Sequence, residues 1–106
     1  MVPEVLPIDL KRELVADNPP TLIDVREADE LEICRLPGAI HIPLGQLPSR
    51  LSELDAETNY VVFCHLGGRS ARATAFLLES GFKNVRNLVT GIRGWAESVD
   101  PNLPKY

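Results

Sequence analysis

The amino-acid sequence predicts an α/β fold, a three-layer domain with a mainly parallel sheet covered by helices. Three observations carry that reading. Short runs such as Thr21-Leu22-Ile23-Asp24-Val25 and Tyr60-Val61-Val62-Phe63 are β-branched or aromatic and nearly continuous in their apolar character, as strands buried on both faces are. Between such runs lie segments with apolar residues three and four apart, the period of an amphipathic helix. Strands alternate with helices along the chain, the order expected when helices pack on a parallel sheet. With 106 residues the chain can enclose one sizeable core and is too short for two, so residues 1–106 are expected to form one domain.

Taken in order, Val5-Leu6 reads as a brief edge strand between prolines. Asp9 is expected to cap a helix with Leu10, Leu14 and Val15 on its apolar face, ended by Asn18-Pro19-Pro20. Thr21–Val25 is a buried strand whose carboxyl end carries Asp24 and Arg26. That is the end of an open α/β sheet at which ligands bind, although pairing with each other or bracing a neighbouring loop is the expected role of these two. Residues 27–33 are acidic, with Ala28, Leu31 and Ile33 to one side, consistent with a short exposed helix. Cys34 to Gly38 is a turn and Ala39 to Ile42 a short strand closed by Pro43, with Cys34 and His41 read as structural. The spacing of Leu44, Leu47, Leu51 and Leu54 predicts an amphipathic helix over 46–54. Asn84–Leu88 is a further strand, and Thr90-Gly91 introduces a last helix holding Ile92, Trp95 and Val99, stopped at Asp100-Pro101.

The chemistry is concentrated in residues 60–81, YVVFCHLGGRSARATAFLLESG. The buried strand stops at Cys64, a glycine pair follows, and a helix over Ala71 to Glu79 begins after Ser70, the expected cap. Gly81 is placed for a left-handed helix stop with Phe82 folding back on Leu77. Cys64 therefore faces the amino end of a helix, where unpartnered N–H groups stabilise anions, a thiolate among them. None of His65, Leu66, Gly67, Gly68, Arg69 and Ser70 is proline, so every N–H of the loop can point inward, and the glycines let it curl into an anion-binding nest. With Arg69, Arg72 and His65 nearby, Cys64 is expected to have a lowered pKa and to be nucleophilic. A lone buried cysteine is ordinarily only a small hydrophobe; the glycine pair and arginine within five residues distinguish this one.

The remaining composition limits the alternatives. A net charge of −4 without a basic cluster argues against nucleic acid as a partner. The start MVPEVLPIDL lacks the features of a leader and no apolar run reaches the roughly 18 residues of a membrane span, so no membrane association and a cytoplasmic location are expected. Two cysteines without a Cys-x-x-Cys suggest reduced thiols and support no metal site.

Four segments, LIDVRE at 22–27, LPGAIHIPL at 36–44, VVFCHLGGRS at 61–70 and GIRGWAESVDPNLPKY at 91–106, together resemble the signatures of the rhodanese-like domains, in the usual order. The resemblance covers nearly the whole chain. It implies a five-stranded sheet flanked by helices, and a sulfurtransferase in which Cys64 takes a sulfane sulfur from thiosulfate or a persulfide donor and passes it, as a persulfide, to cyanide, a thiol or a sulfur-carrier protein. The binding loop would be Cys64 to Arg69, with Ser70 adding its hydroxyl, and Arg69 and Arg72 are suited to recruiting an oxyanion donor. No cofactor is implied. Cys34-Arg35 stands where the family commonly has Gly-His, and Thr90-Gly91 where it has Gly-Gly. The first change, with the Asp-Pro-x-x-Pro-x-Tyr ending, is more similar to the rhodanese domains that follow adenylyltransferases of ubiquitin-like sulfur carriers. Two other classes share the fold. Cdc25-like phosphatases and arsenate reductases have five residues between cysteine and arginine, whereas four intervene here, a ring that suits sulfur better than a tetrahedral oxyanion. Non-catalytic interaction modules often lose the cysteine, which this chain keeps.

Overall fold

The computed structural model describes residues 1–106. In chain order the elements are β1 (Glu4–Val5), α1 (Pro7–Leu14), β2 (Thr21–Asp24), α2 (Ala28–Leu31), β3 (Ile40–His41), two 3₁₀ stretches (Leu44–Gln46 and Pro48–Glu53), β4 (Asn59–Phe63), α3 (Gly68–Glu79), β5 (Asn84–Leu88) and α4 (Gly91–Ser98). The five strands form one sheet in the order β1-β5-β4-β2-β3, and every pairing is parallel. The expected α/β architecture and five-stranded sheet are both present.

Side chains alternate across β4 and divide the core in two. Val62 and Cys64 face a cluster with Ile23, Val25, Ile42, Ala73, Leu77 and Phe82, the α3 side. Val61 and Phe63 face the opposite cluster with Leu10, Cys34, Leu36, Ile92 and Trp95, the side of α1 and α4. β4 is central and covered on both faces, which is why its sequence lacks a polar alternation. From β2 the chain moves outward to β3, and from β4 it moves the other way to β5. The carboxyl ends of β2 and β4 thus flank the point where the strand order reverses, and the crevice there is where α/β sheets bind ligands.

Three helical expectations are corrected. α1 begins at Pro7, not after Asp9, because a proline at the first helical position gives up an N–H that would be unpaired anyway; Asp9 lies in the first turn and bonds Arg12 at 3.1 Å. The segment 46–54 is not an α-helix. Its bonds close three-residue rings, Leu47 N–H to the Leu44 carbonyl at 3.2 Å and Arg50 N–H to Leu47 at 3.2 Å, and Pro48 has no N–H with which to continue an α-helical ladder. The leucines still face the core as their spacing required. The third correction concerns α3, which starts at Gly68 and not after Ser70. Its end follows expectation: Gly81 is left-handed (φ 95°), Phe82 N–H bonds the Leu77 carbonyl at 3.0 Å and Gly81 N–H that of Leu78 at 3.2 Å.

Candidate active site

Gly67, not Ser70, is the amino-terminal cap residue of α3, in a left-handed conformation with φ 110°. A side chain there would be strained, and its Cβ would lie 3.4 Å from the Thr90 nitrogen and 3.6 Å from the Leu88 oxygen. This turn brings the first-turn N–H groups of α3 onto the end of β4. Cys64 Sγ accepts hydrogen bonds from Gly67 N–H at 3.1 Å, Ser70 N–H at 3.4 Å and the Ser70 hydroxyl at 3.3 Å. Ser70 is fully buried, and its side chain is part of the sulfur's surroundings instead of a helix cap.

Cys64 is 1 % exposed. Burial pushes its thiol up, but the Ser70 hydroxyl and the N–H groups of Ser70, Gly67 and Leu66 outweigh it and bring the pKa below the ordinary 9.0. A second helix holds the loop from behind. Ile92 N–H donates to the Cys64 carbonyl at 2.9 Å and Arg93 N–H to the His65 carbonyl at 3.1 Å, so the first turn of α4 takes up loop carbonyls. The approach is close enough that a Cβ on Gly91 would lie 2.4 Å from the His65 oxygen and 2.6 Å from that of Cys64. Thr90, just before it, is the one non-glycine residue with positive φ, at 67°.

The rim is an ion-pair network that sequence reasoning did not identify. Arg69 forms two bonds to Glu30, at 2.6 and 2.8 Å, which tie it to α2. Arg72 is exposed on α3. The Arg69 guanidinium, against the opposing effect of burial and with help from Glu27 N–H and the Tyr106 hydroxyl, lowers the Glu30 carboxyl to about 2. Tyr106 donates to Glu30 at 2.7 Å and accepts from Arg26 at 3.1 Å; burial pushes its phenol up to about 12. His65 does not point toward Cys64. Its ring stacks on Tyr106 with centroids 3.8 Å apart and bonds the Tyr106 main-chain oxygen, which also accepts from Arg93 at 2.7 Å. Leu66 is 62 % exposed over the loop, and Gly68 is exposed at the start of α3.

Asp24 and Arg26 pair with each other, at 2.7 Å, both buried, and Arg26 also donates to the Cys34 carbonyl at 2.9 Å. His41 bonds the Arg26 carbonyl at 2.7 Å, in keeping with a structural role. Cys34 is buried in the cluster on the other face of the sheet from Cys64, and both thiols are free. Asn87 was also missed: it follows Arg86 in a strand with three polar residues of five, so nothing along the strand marks it as the buried one. Glu30 and Tyr106 left no local signal, lying 39 positions before and 37 positions after Arg69. No group of three or more His, Cys, Asp or Glu stands together, and no helix is long and apolar enough to cross a membrane.

Comparison with known proteins supplies the family. The rhodanese-like domain matches residues 7–98. The chain belongs to the rhodanese-like family. The putative sulfurtransferase YtwF of Bacillus subtilis is 36 % identical over 100 residues, covering 94 % of this chain and 96 % of that one. The adenylyltransferase and sulfurtransferase MOCS3 of Arabidopsis thaliana is 37 % identical over a region covering 80 % of this chain and 22 % of its own. The solved structure of the human single-domain sulfurtransferase TSTD1 superposes with a TM-score of 0.83 at 28 % identity, covering 92 % of this chain and 98 % of that one. Several longer curated relatives are matched over about half their length or less, 54 % in one case. Several of these relatives carry sulfurtransferase in their names.

Proposed function

We propose that residues 1–106 act as one sulfurtransferase unit, carrying sulfane sulfur from thiosulfate or a persulfide donor to a thiophilic acceptor through a persulfide on Cys64. The observation that carries this reading is the convergence of Gly67 N–H, Ser70 N–H and the Ser70 hydroxyl on Sγ, within 3.1–3.4 Å. With thiosulfate, the Cys64 thiolate attacks the outer sulfur, a new S–S bond forms, the S–S bond of the donor breaks, and sulfite leaves with the electron pair. The negative charge moves to the outer sulfur of the persulfide. The loop N–H groups stabilise it there without reorganisation, since α4 already holds the loop carbonyls away. An acceptor then attacks that outer sulfur and Cys64 departs as the thiolate, the second half of a ping-pong cycle.

Burial of Cys64 bears on the acceptor. Cys64 is almost wholly buried, which suits the loop to a small donor or a narrow terminus. Cyanide, a small thiol and the tail of a sulfur-carrier protein all meet that demand. The last agrees with the name of MOCS3, which joins an adenylyltransferase to a sulfurtransferase. We place the protein in a reducing compartment, the cytoplasm, where both thiols stay free.

Intact mass spectrometry of the reduced protein after incubation with thiosulfate tests the reading. Wild type and Cys34→Ala should gain one sulfur atom that cyanide removes as thiocyanate, and Cys64→Ala should gain none. A sulfur adduct retained by Cys64→Ala would refute the assignment.

A further inference from the structure

Asn87 is 3 % exposed on β5, with its amide between the loop and the first turn of α3. Its Nδ2 donates to the Gly67 carbonyl at 3.2 Å, and its Oδ1 lies 2.5 Å from Ser70 Oγ. The first contact decides the second. Turned over, the amide would set its oxygen against the Gly67 carbonyl, acceptor against acceptor. With Oδ1 toward Ser70, two oxygens at this separation need a proton between them, and Ser70 is the group that supplies it. A hydroxyl has one proton, and Cys64 Sγ, 3.3 Å from the same Oγ, calls for it as well.

We propose that Asn87 is a positioning residue that competes with Cys64 for the Ser70 proton, so that the hydroxyl turns to Sγ only while Sγ is a thiolate. In the resting thiol, S–H donates to Ser70 Oγ and Ser70 donates to Asn87 Oδ1. Loss of the thiol proton to water rotates the hydroxyl onto the sulfur and leaves Oδ1 without its donor. Once Sγ is bonded to a second sulfur it is neutral, and the hydroxyl returns to Asn87. When the acceptor removes the outer sulfur and Sγ leaves as a thiolate, the hydroxyl turns back. This rests on the reading of Cys64 as the sulfur carrier, and it adds a buried amide on β5 that limits how much thiolate stands ready before a donor arrives.

The other charged and titratable groups around the sulfur are accounted for. Arg69 on α3 interacts with Cys64 across space but is paired with Glu30 of α2. Asp24 and Arg26 after β2 pair with each other, His65 is turned to Tyr106, Arg93 of α4 bonds Tyr106 and Glu97, and Arg86 of β5 pairs with Glu13.

The test is a double-mutant cycle on the acidity of Cys64, read from the pH dependence of its alkylation by iodoacetamide and located by peptide mass. Wild type, Ser70→Ala, Asn87→Leu and the double variant are compared. Asn87→Leu should lower the Cys64 pKa by about one unit, a roughly tenfold gain in thiolate fraction below that pKa. Ser70→Ala should raise it, and by more in the Asn87→Leu background than in wild type, because the competitor has gone. An unchanged or raised pKa in Asn87→Leu, or a smaller effect of Ser70→Ala in that background, overturns the proposal and reduces Asn87 to packing. If near-ultraviolet circular dichroism of Trp95 shows Asn87→Leu unfolded, Asn87→Val, which a strand interior favours, is read by the same criteria. The cycle uses no sulfur donor. A protein that shows this coupling but forms no persulfide would retain the proton competition and lose the proposed function.

Discussion

Replacing Glu30 by glutamine removes one charge from the rim while keeping the side chain's size. In the folded chain that carboxylate receives both guanidinium bonds of Arg69 and the Tyr106 hydroxyl, and it is held at about 2 instead of 4.5. Such a displacement corresponds to about 3.4 kcal/mol at 1.36 kcal/mol per pH unit. Arg69 is 31 % exposed, so water screens the pair and about 1–2 kcal/mol is the realistic contribution. The folded pKa is depressed, so the contribution is complete above the ordinary carboxyl pKa and is lost as pH falls from about 4.5 through about 2. Urea denaturation at pH 7 should therefore find Glu30→Gln less stable by about 1–2 kcal/mol, a fall in Tm of roughly 5–9 °C for a domain of this size. Repeated toward pH 2, the gap between wild type and variant should close. A gap of equal size at pH 7 and pH 2 would refute the electrostatic account, since only loss of packing or of a neutral hydrogen bond is independent of that protonation.

Three further changes have defined outcomes. Arg26→Met leaves the buried Asp24 carboxylate without its guanidinium and should cost about 3–5 kcal/mol, or about 13–22 °C in Tm; adding Asp24→Leu should recover part of that loss in thermal melts. Gly67→Ala forces a side chain into a left-handed position and should cost about 1–3 kcal/mol by denaturation, with slower alkylation of Cys64 near neutral pH as the Gly67 N–H shifts off the sulfur. Thr90→Gly relieves the left-handed, β-branched residue before α4 and should raise Tm by roughly 2–5 °C in calorimetry.

How much of this was legible depended on how local its cause was. β2 and β4 were readable because burial on both faces demands nearly continuous apolar runs, and the end of α3 because Gly81 and Phe82 bring it about within one turn. The nest around Cys64 was readable for the same reason, since its donors come from residues 66–70. Ser70 was misassigned because capping and sulfur contact use the same hydroxyl, and only the left-handed Gly67 moves the helix start forward and decides between them. Pro48 was overlooked within an otherwise helical leucine spacing, although a missing N–H is a local fact. Arg69–Glu30, His65–Tyr106 and Ser70–Asn87 join segments brought together by strand order alone, and no spacing along the chain announces them.

The two ends of the sheet have a consequence for the fold's use inside longer proteins. β1 and β3, the outermost strands, are two residues each, and Pro3, Pro7, Pro37 and Pro43 bound them closely. A sheet edge of that length offers too few unpaired backbone groups to template a neighbouring strand, while the long hydrophobic strands lie inside. Tethering at high local concentration to another domain, as in the longer relatives, therefore carries little risk of edge-to-edge aggregation. Lengthening β3 by replacing Pro43 would remove that protection before it altered the chemistry at Cys64.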